Sequence, residues 1–286
     1  MSDARAGGPV LVTGCSTGIG RATAQRLAGR GFTVYATARK PESIADLEAA
    51  GCRLLPLDVT EEDSMRAAVA AVEEAEGAVG ALVNNAGYSQ SGAVEEVPLD
   101  EVRRQFETNV FGLVRMAQLV LPAMRARRSG RIVNVGSMGG KLTFPGGGFY
   151  HATKYAVEAL SDALRFEVQG FGIQVSLIEP GLIRTQFAET AVSSVDGDGD
   201  GAYARFNRAV AAMTVGAYEG PLARLGGGPE SVAKTIERAL TASSPKPRYP
   251  VTPSARLIMA QRRVMPDRVW DRFLTTQYPI PGREAT

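Results

Sequence analysis

Short apolar runs alternate along the chain with longer stretches of helical periodicity, and this alternation limits the folds that the chain can adopt. Helical patterns lie near residues 19–30, 42–50, 61–76, 100–128, 152–170 and 229–242. The runs between and beside them are rich in Val, Ile and Leu, as in strands covered on both faces, and lie at 9–13, 33–37, 53–57, 81–84, 131–135, 174–178 and 248–251. Repeated strand–helix units favour right-handed crossovers and a parallel sheet. The pattern therefore predicts an α/β fold with a doubly wound parallel sheet of about seven strands, flanked by helices on both faces.

Charge and composition exclude several classes of protein. The 286 residues include 32 Lys and Arg, 30 Asp and Glu, one His and two Cys, with a formal net charge of +2. So balanced a charge gives no broad positive surface for nucleic acid. One His and two Cys cannot supply a His/Cys zinc site or a disulfide framework. Residues 1–8 lack the apolar core of a signal peptide, and Arg115 interrupts the longest apolar run, at 110–121, so we expect a cytoplasmic protein without membrane spans.

The first predicted strand leads directly into a glycine-rich turn, which a predicted helix follows. The turn has the sequence Thr-Gly-Cys-Ser-Thr-Gly-Ile-Gly, with glycines at Gly14, Gly18 and Gly20. Glycine allows the backbone to approach a pyrophosphate closely, and the free N–H groups at the start of a helix bind anions. The strand before and the helix after the glycines support this interpretation over a bare turn. The motif predicts a dinucleotide site that includes Ser16, Thr17 and Ile19.

The spacing Gly-x-x-x-Gly-x-Gly resembles the fingerprint of the short-chain dehydrogenase/reductase family, and later motifs extend the resemblance over residues 9–185. The resemblance implies a Rossmann fold and a nicotinamide dinucleotide cofactor. Three further segments match family positions. Asp58 with Val59 matches the position at the adenine, and Asn85, Ala86 and Gly87 match the motif after the fourth strand. Pro180, Gly181, Ile183 and Thr185 match the segment at the nicotinamide carboxamide. Simpler interpretations stay open, since Asp58 would also suit a helix or loop cap, and Pro180-Gly181 an ordinary turn.

The end of the second predicted strand bears on which dinucleotide binds. An NAD site usually has Asp or Glu about 20 residues beyond the glycines, where the carboxylate accepts hydrogen bonds from the ribose 2′-hydroxyl. This chain has Ala38 and Arg39 there, and Arg at this position resembles the family members that use NADP. A guanidinium group binds a phosphate through two hydrogen bonds. We therefore predict NADP(H) as the cofactor, with a solvated surface charge as the alternative interpretation of Arg39.

Four polar residues match the family's Asn–Ser–Tyr–Lys tetrad. Tyr150 and Lys154 are four residues apart on one face of a predicted helix, and Ser137 lies thirteen residues before Tyr150. By the resemblance, Tyr150 is the acid–base group, Lys154 also binds the nicotinamide ribose, and Asn109 holds a water. Ser137 is suited to donate a hydrogen bond to the substrate oxygen. Lys154 and a positive nicotinamide favour the Tyr150 phenolate, and lowering the pKa of a phenol by about three units requires roughly 4 kcal/mol. Singly, Ser137 would also suit a loop cap, Tyr150 a surface aromatic and Asn109 a helix kink.

Two segments fall outside the strand–helix alternation of the single domain expected over residues 1–286. Residues 183–228 correspond to the family's substrate lid and contain the acidic run 196–201, which matches half of a calcium-loop pattern and is interpreted as a flexible loop. The C-terminal extension, about 252–286, carries basic and apolar side chains, among them Trp270 and Phe273. It would cover the substrate pocket, form an oligomer contact or lie on a membrane surface, and we favour the first. His151, beside Tyr150, is assigned a structural or substrate-lining role.

Together these features predict an NADP(H)-dependent carbonyl reductase or alcohol dehydrogenase with a small-molecule substrate. Five apolar side chains are candidates for the substrate side and favour a bulky, hydrophobic compound: Met138, Phe144, Phe149, Phe187 and Met213. A non-catalytic dinucleotide-binding sensor or scaffold is the main alternative, and an enoyl reductase or sugar epimerase ranks below it. The resemblance also implies a homodimer or homotetramer, in part through the helices predicted at 100–128 and 152–170.

Overall fold

The centre of the structure is a parallel β-sheet, as the alternation of strands and helices predicts. The computed structural model of the protein describes residues 8–186, 190–191, 193–195 and 201–283. Its strands have the order β3-β2-β1-β4-β5-β6-β7 and comprise β1 (Val10–Val12), β2 (Val34–Ala38), β3 (Arg53–Pro56), β4 (Ala81–Asn84), β5 (Gly130–Val135), β6 (Ile173–Glu179) and β7 (Arg248–Pro250). Each strand coincides with a predicted apolar run, so the Rossmann-type sheet is confirmed. The strand order reverses between β1 and β4, which opens a crevice at their carboxyl ends.

Helices cover both faces of this sheet. In chain order they are α1 (Gly18–Ala28), α2 (Asp46–Ala49), α3 (Glu62–Glu76), α4 (Leu99–Phe106), α5 (Gly112–Ala126), α6 (Gly148–Val168), α7 (Ala204–Glu219), α8 (Pro229–Thr241), α9 (Pro253–Val264) and α10 (Asp267–Thr275). Val10 and Val12 pack with α1 and α8 on one face, whereas Leu11 packs with α3 and α5 on the other. Because both faces of β1 are covered, its sequence is continuously apolar.

The helix predicted at 100–128 is divided. A π-helical turn, Glu107–Phe111, separates α4 from α5, and it contains Asn109. The backbone of α5 lies so close to the end of β3 that a Cβ on Gly112 would be 2.4 Å from the carbonyl oxygen of Val59. Single π-helical turns within α-helices, such as Glu107–Phe111, are frequent at functional sites. The prediction of one continuous helix was wrong at this turn, and the turn aims Asn109 at the loop that follows β4.

The described residues of the lid region and the C-terminal extension include the helices α7, α9 and α10, which the sequence analysis did not predict. α7 lies within 183–228, and α9 and α10 follow β7. The last two are short and each begins next to a proline, Pro253 and Pro266, which is a helix-start signal. Phe187 and residues 196–200 of the acidic run lie outside the described residues. No helix in the described ranges is long and apolar enough to cross a membrane.

Candidate active site

A large cleft lies at the carboxyl ends of the central strands. Its volume is about 1380 Å³, and its lining includes the glycine-rich turn, the end of β2, the loops after β4 and β5, and the start of α6. Doubly wound folds bind their ligands at the point where the strand order reverses, outside the carboxyl ends of the strands. The cleft wall brings together the predicted catalytic and cofactor-binding residues, except Gly20 and Asn109, which are absent from its lining.

The glycine-rich turn is held in a shape that only glycine permits. Gly14 and Gly18 have φ angles of +72° and +56°, and a Cβ on Gly20 would lie 2.2 Å from the carbonyl oxygen of Gly14. The amide nitrogen Nδ2 of Asn85 donates to the carbonyl oxygens of Thr13 and Gly14, at 2.9 and 3.0 Å. Asn85 therefore fixes the turn from the neighbouring strand. Sequence reasoning missed Thr13, whose hydroxyl oxygen accepts from the backbone N–H groups of Asn85 and Ala86, each at 3.0 Å.

The start of α1 is suited to a phosphate group. Thr17 precedes the helix in extended conformation, and within the described residues no side chain caps the first turn. Uncapped N–H groups at a helix start require a partner, and an anion supplies one. The Thr185 side chain lies 3.3 Å from where a Cβ on Gly18 would stand, so the segment after β6 lies over the turn. A glycine cradle beside uncapped donors fits a dinucleotide.

Arg39 and Asp58 line the cleft on the far side of β1. Arg39 follows the last residue of β2 and its side chain is exposed at the cleft, whereas Ala38 is buried. The oxygen Oδ1 of Asp58 accepts from the backbone nitrogen and the hydroxyl of Thr60, at 3.0 and 2.8 Å. Asp58 thus has the capping role that the sequence left open, and its contact with an adenine stays a prediction.

Ser137, Tyr150 and Lys154 meet at the middle of the cleft. The hydroxyl groups of Ser137 and Tyr150 are hydrogen-bonded to each other. The Ser137 oxygen also accepts from the backbone nitrogen of Gly139, at 3.0 Å. Lys154 Nζ donates to the carbonyl oxygen of Val135 at 2.9 Å and lies 5.7 Å from the centre of the Tyr150 ring. The end of β5 and the first turns of α6 therefore place two hydroxyls and one amine together.

Burial shifts the pKa values of these groups in opposite directions. It raises the pKa of Tyr150 above its usual value, against the lowering effect of the Ser137 hydrogen bond, and the nearby Tyr218 raises it further. It lowers the pKa of Lys154 to about 8, because the ammonium is shielded from water. The groups of the protein itself therefore favour the neutral phenol, and the phenolate expected with Lys154 and a positive nicotinamide together stays a prediction.

Comparison with known sequences decides the family. A family profile described as short chain dehydrogenase matches residues 9–196, more than half of the chain. The chain belongs to the short-chain dehydrogenase/reductase family. It is an oxidoreductase of this family, with a cleft for a nicotinamide dinucleotide.

Relatives in this family resemble the chain over nearly its whole length. The uncharacterized oxidoreductase YbbO of Escherichia coli (strain K12) is 36% identical over 270 residues, which cover 93% of each chain. A 3-ketodihydrosphingosine reductase of Bacteroides thetaiotaomicron is 36% identical over 95% of this chain and 98% of its own. The NADPH-dependent 3-dehydrocapnine reductase of Ornithobacterium rhinotracheale is 33% identical over 92% of this chain and 94% of its own.

Solved structures show the same fold. A short-chain dehydrogenase from Streptomyces avermitilis is 34% identical, with a TM-score of 0.76 over 94% of this chain and 96% of its own. A family member from Burkholderia phymatum, in complex with NAD, has a TM-score of 0.77 over 99% of this chain and 100% of its own. At 24% identity, the second supports the fold alone.

Asn109 lies behind the cleft wall of this dehydrogenase and is almost completely buried. Its Nδ2 donates to the carbonyl oxygen of Tyr88 at 2.8 Å and to the Thr153 hydroxyl at 3.1 Å, while Oδ1 accepts from the backbone nitrogen of Tyr88 at 3.0 Å. Asn109 therefore ties the loop after β4 to α6. Its predicted role in holding a water stays a prediction.

His151 holds the loop between β5 and α6. Its Nδ1 donates to the carbonyl oxygen of Gly139 at 2.9 Å, and Nε2 accepts from the backbone nitrogen of Phe144 at 3.1 Å. Burial lowers the pKa of His151, which keeps the ring neutral and suits one donor and one acceptor nitrogen. These contacts agree with the structural role expected from the sequence.

The substrate side of the cleft is largely apolar and is completed by the C-terminal helices. Met138, Phe144 and Met213 line it as predicted, whereas Phe149 is absent from the lining that the described residues form. Trp270 of α10 is only 7% exposed, and its ring lies 5.8 Å from that of Phe144. Of the three interpretations of the C-terminal extension, these contacts favour the one in which it covers the pocket.

A buried cluster of charged groups lies directly behind α6, and sequence reasoning missed it. Glu158 of α6 and Glu179 at the end of β6 are 5% and 2% exposed. Lys141 Nζ lies 2.5 Å from Glu158 Oε2, and Arg248 Nε lies 3.0 Å from the same oxygen and 3.7 Å from Glu179 Oε1. Burial and the hydrogen bond to the Glu158 carboxyl raise the pKa of Glu179 to about 7. Glu179 directly precedes Pro180 and Gly181, so the cluster supports the segment predicted to hold the nicotinamide.

Proposed function

We propose that the protein is an NADP(H)-dependent oxidoreductase that interconverts a ketone or aldehyde and an alcohol, with Tyr150 as the acid–base group. The observation that carries the proposal is the meeting of the Ser137 and Tyr150 hydroxyls with the Lys154 amine inside the cleft. Those three groups stand beside the glycine-rich turn and the uncapped start of α1. A substrate oxygen placed between the two hydroxyls therefore lies next to a dinucleotide site.

The residues divide the reaction between them. A bound nicotinamide supplies a hydride in reduction and accepts one in oxidation. Ser137 donates a hydrogen bond to the carbonyl oxygen and stabilises the negative charge that develops there. Tyr150 then gives its phenolic proton to that oxygen, so the alcohol leaves neutral and the phenolate remains beside Lys154. Since the protein itself favours the neutral phenol, Tyr150 is already in the form that reduction requires.

The preference for NADP(H) rests on the end of β2. The exposed Arg39 guanidinium at the cleft suits a 2′-phosphate. Positions 38 and 39 hold Ala and Arg, so neither supplies the carboxylate that binds the ribose hydroxyl in an NAD site. One relative, the 3-dehydrocapnine reductase, is named as NADPH-dependent. The likeness to a structure in complex with NAD concerns the fold alone.

A bulky, hydrophobic substrate suits the apolar part of the cleft. Met138, Phe144 and Met213 face the same space as Trp270 and Phe273. Apolar walls of this extent bind alkyl or ring systems through the hydrophobic effect. One relative is named for 3-ketodihydrosphingosine, which supports a ketone with a large apolar part.

We also infer that the chain forms one domain and assembles as a homodimer or homotetramer in the cytoplasm. Large apolar side chains stand out from α6 and the neighbouring π turn, where the family resemblance places subunit contacts. Phe166 is 76% exposed and Phe111 55% exposed. A buried interface would remove these side chains from water.

The experiment that tests the proposal follows NADPH consumption by the purified protein with a panel of ketones and aldehydes, and NADH in parallel. We expect turnover of bulky apolar ketones and a kcat/KM that is at least about 10-fold higher with NADPH, in line with a bidentate phosphate contact. Tyr150→Phe should lower kcat by about 10²- to 10⁴-fold, the range of general acid–base catalysis. The variant should keep its dinucleotide affinity, which titration of NADPH fluorescence measures.

Other outcomes of the same experiment would contradict the proposal. Dinucleotide binding without turnover over a wide panel would indicate a sensor or scaffold. Activity of Tyr150→Phe within a few-fold of the unmodified protein would exclude Tyr150 as the acid–base group. A kcat/KM with NADH equal to or above that with NADPH would overturn the cofactor preference.

A further inference from the structure

A second phenol, that of Tyr218, shares the catalytic part of the cleft with Tyr150. Tyr218 lies in the last turn of α7 and lines the cleft together with Ser137 and Tyr150. The Tyr218 side chain packs against a cluster that contains Met138, the residue directly after Ser137. Tyr218 is therefore placed to meet the part of a substrate next to the reacting carbonyl group.

Apart from Tyr218, the face of α7 that borders the cleft offers a substrate no hydroxyl that is not already donating a hydrogen bond, among the residues described. It presents side chains at the spacing of one helical face, Val210, Met213, Thr214, Ala217 and Tyr218. The Thr214 hydroxyl donates within its own helix, to the carbonyl oxygen of Val210 at 2.8 Å. The Tyr218 hydroxyl has no hydrogen-bond partner among the residues that the structure describes.

The surroundings of Tyr218 are apolar. Its ring packs beside Phe144, Ala217 and Ile258 against a small core of Met138, Leu182 and Ala255. The residue is half-buried, and this burial raises the pKa of its hydroxyl. A lone donor in an apolar wall hydrogen-bonds to water until a substrate displaces that water, and it then needs a new partner.

We propose that Tyr218 is a specificity-determining residue, whose hydroxyl binds a hydroxyl or amino group on a carbon within two bonds of the reacting carbonyl. The preferred substrates are then long-chain ketones with a neighbouring polar substituent, and plain alkyl ketones are poorer. This inference rests on the proposed function, because it places the reacting carbonyl between Ser137 and Tyr150. The apolar chain of such a substrate extends along the wall that α9 and α10 complete.

The expected preference arises from the free-energy cost of leaving the Tyr218 hydroxyl without a hydrogen-bond partner. A plain ketone displaces water from the Tyr218 hydroxyl and returns nothing, whereas a hydroxy or amino ketone forms a hydrogen bond in its place. Sites built to hydrogen-bond a substrate group discriminate against analogues that lack it. For one neutral hydrogen bond with partial solvent access, we expect a preference of about 10-fold in kcat/KM.

The test combines one variant with matched substrates. Tyr218→Phe removes a single oxygen and keeps the ring packing, and its thermal midpoint should stay close to that of the unmodified protein. The substrates are α-hydroxy, β-hydroxy, α-amino and unsubstituted ketones of equal chain length, assayed with NADPH. Tyr203→Phe is the control. Tyr203 directly precedes the same helix, but its hydroxyl donates to Glu95 at 2.6 Å, away from the cleft.

We expect Tyr218→Phe to lower the preference for substituted over unsubstituted ketones by about 10-fold, with the loss mainly in KM, and Tyr203→Phe to leave it unchanged. A preference that persists in Tyr218→Phe, or a parallel loss for all substrates, would overturn the inference. Equal rates for all ketones in an active unmodified enzyme would also overturn it and leave the proposed function intact. If the unmodified enzyme reduced none of them, the proposed function would be wrong and the inference would fall with it.

Discussion

Replacement of Glu179 by Gln should make the protein more stable in alkaline solution. The Glu179 carboxyl lies at the end of β6, 2% exposed, beside the Glu158 carboxyl. Arg248 Nε lies 3.7 Å from Glu179 Oε1, and this arginine is shared with Glu158 and Asp162. Glu158 pairs with Lys141 and Arg248, and Asp162 pairs with Arg248 and Arg165. The 3.7 Å contact with the shared Arg248 therefore leaves an ionised Glu179 poorly compensated. Gln has nearly the same shape and no proton to lose.

The size of the effect follows from the pKa of Glu179, which the fold raises from 4.5 to about 7. Between these two values the folded protein keeps a proton that the unfolded chain releases, so the free energy of unfolding falls as the pH rises. The stabilising contribution is complete below about pH 4.5 and has been lost once the pH passes about 7. The full shift corresponds to ~3 kcal/mol at ~1.4 kcal/mol per pKa unit, and solvent near the partly exposed Arg248 reduces this to ~1–3 kcal/mol.

Urea unfolding of both proteins at about pH 5 and about pH 8 measures this difference. We expect similar stabilities at the lower pH and an advantage of ~1–3 kcal/mol for Glu179→Gln at the higher pH. Glu167→Gln is a suitable control, because Glu167 is exposed on the same helix as Glu158. A Glu179→Gln protein whose stability changed with pH as steeply as that of the unmodified protein would refute the assignment of the proton to this pair.

Two further substitutions test the cofactor side of the cleft. Gly20→Ala places a Cβ 2.2 Å from the carbonyl oxygen of Gly14, so we expect a loss of at least about 10-fold in NADPH affinity, measured by fluorescence titration. Gly216→Ala is the control. It has open space around it, so it should leave NADPH affinity unchanged and stabilise α7 slightly. Unchanged affinity in Gly20→Ala would contradict the rigid cradle. Arg39→Ala should lower kcat/KM for NADPH about 10-fold or more and leave that for NADH unchanged, whereas Lys40→Ala should affect neither; equal losses with both dinucleotides would contradict a phosphate contact.

The sheet and the cofactor side of the cleft were predictable from the sequence because their signals are local. Each strand is a short apolar run, since both faces of the sheet are covered. The glycine-rich turn and the pair Tyr150 and Lys154 occupy a few consecutive positions, and their spacing carries the geometry. Even so, the sequence could not show that Asn85 holds the turn from a strand 71 residues away from Gly14.

The charged cluster behind α6 was not predictable in the same way. Glu158, Glu179 and Arg248 come from a helix, a strand end and an edge strand, and no local pattern distinguishes them from exposed charges. They become a buried cluster because β6 pairs with β7 and α6 packs on β6. The shift in the pKa of Glu179 is a property of this packing. A residue type alone predicts an ordinary carboxylate.

The proposed substrate side of the cleft shows the same limit more strongly. The glycine-rich turn follows β1, and Ser137 and Tyr150 stand after β5 and on α6, so their positions follow from the sheet. The opposite wall belongs to α7, α9 and α10, which lie outside the strand–helix alternation and contribute single side chains such as Tyr218 and Trp270. Under the proposed function, we expect a substitution in these helices to change which ketone fits and to leave the hydride and proton transfers in place. Sequence patterns therefore predict the reaction of this chain, whereas its substrate depends on how three helices beyond the sheet pack over the cleft.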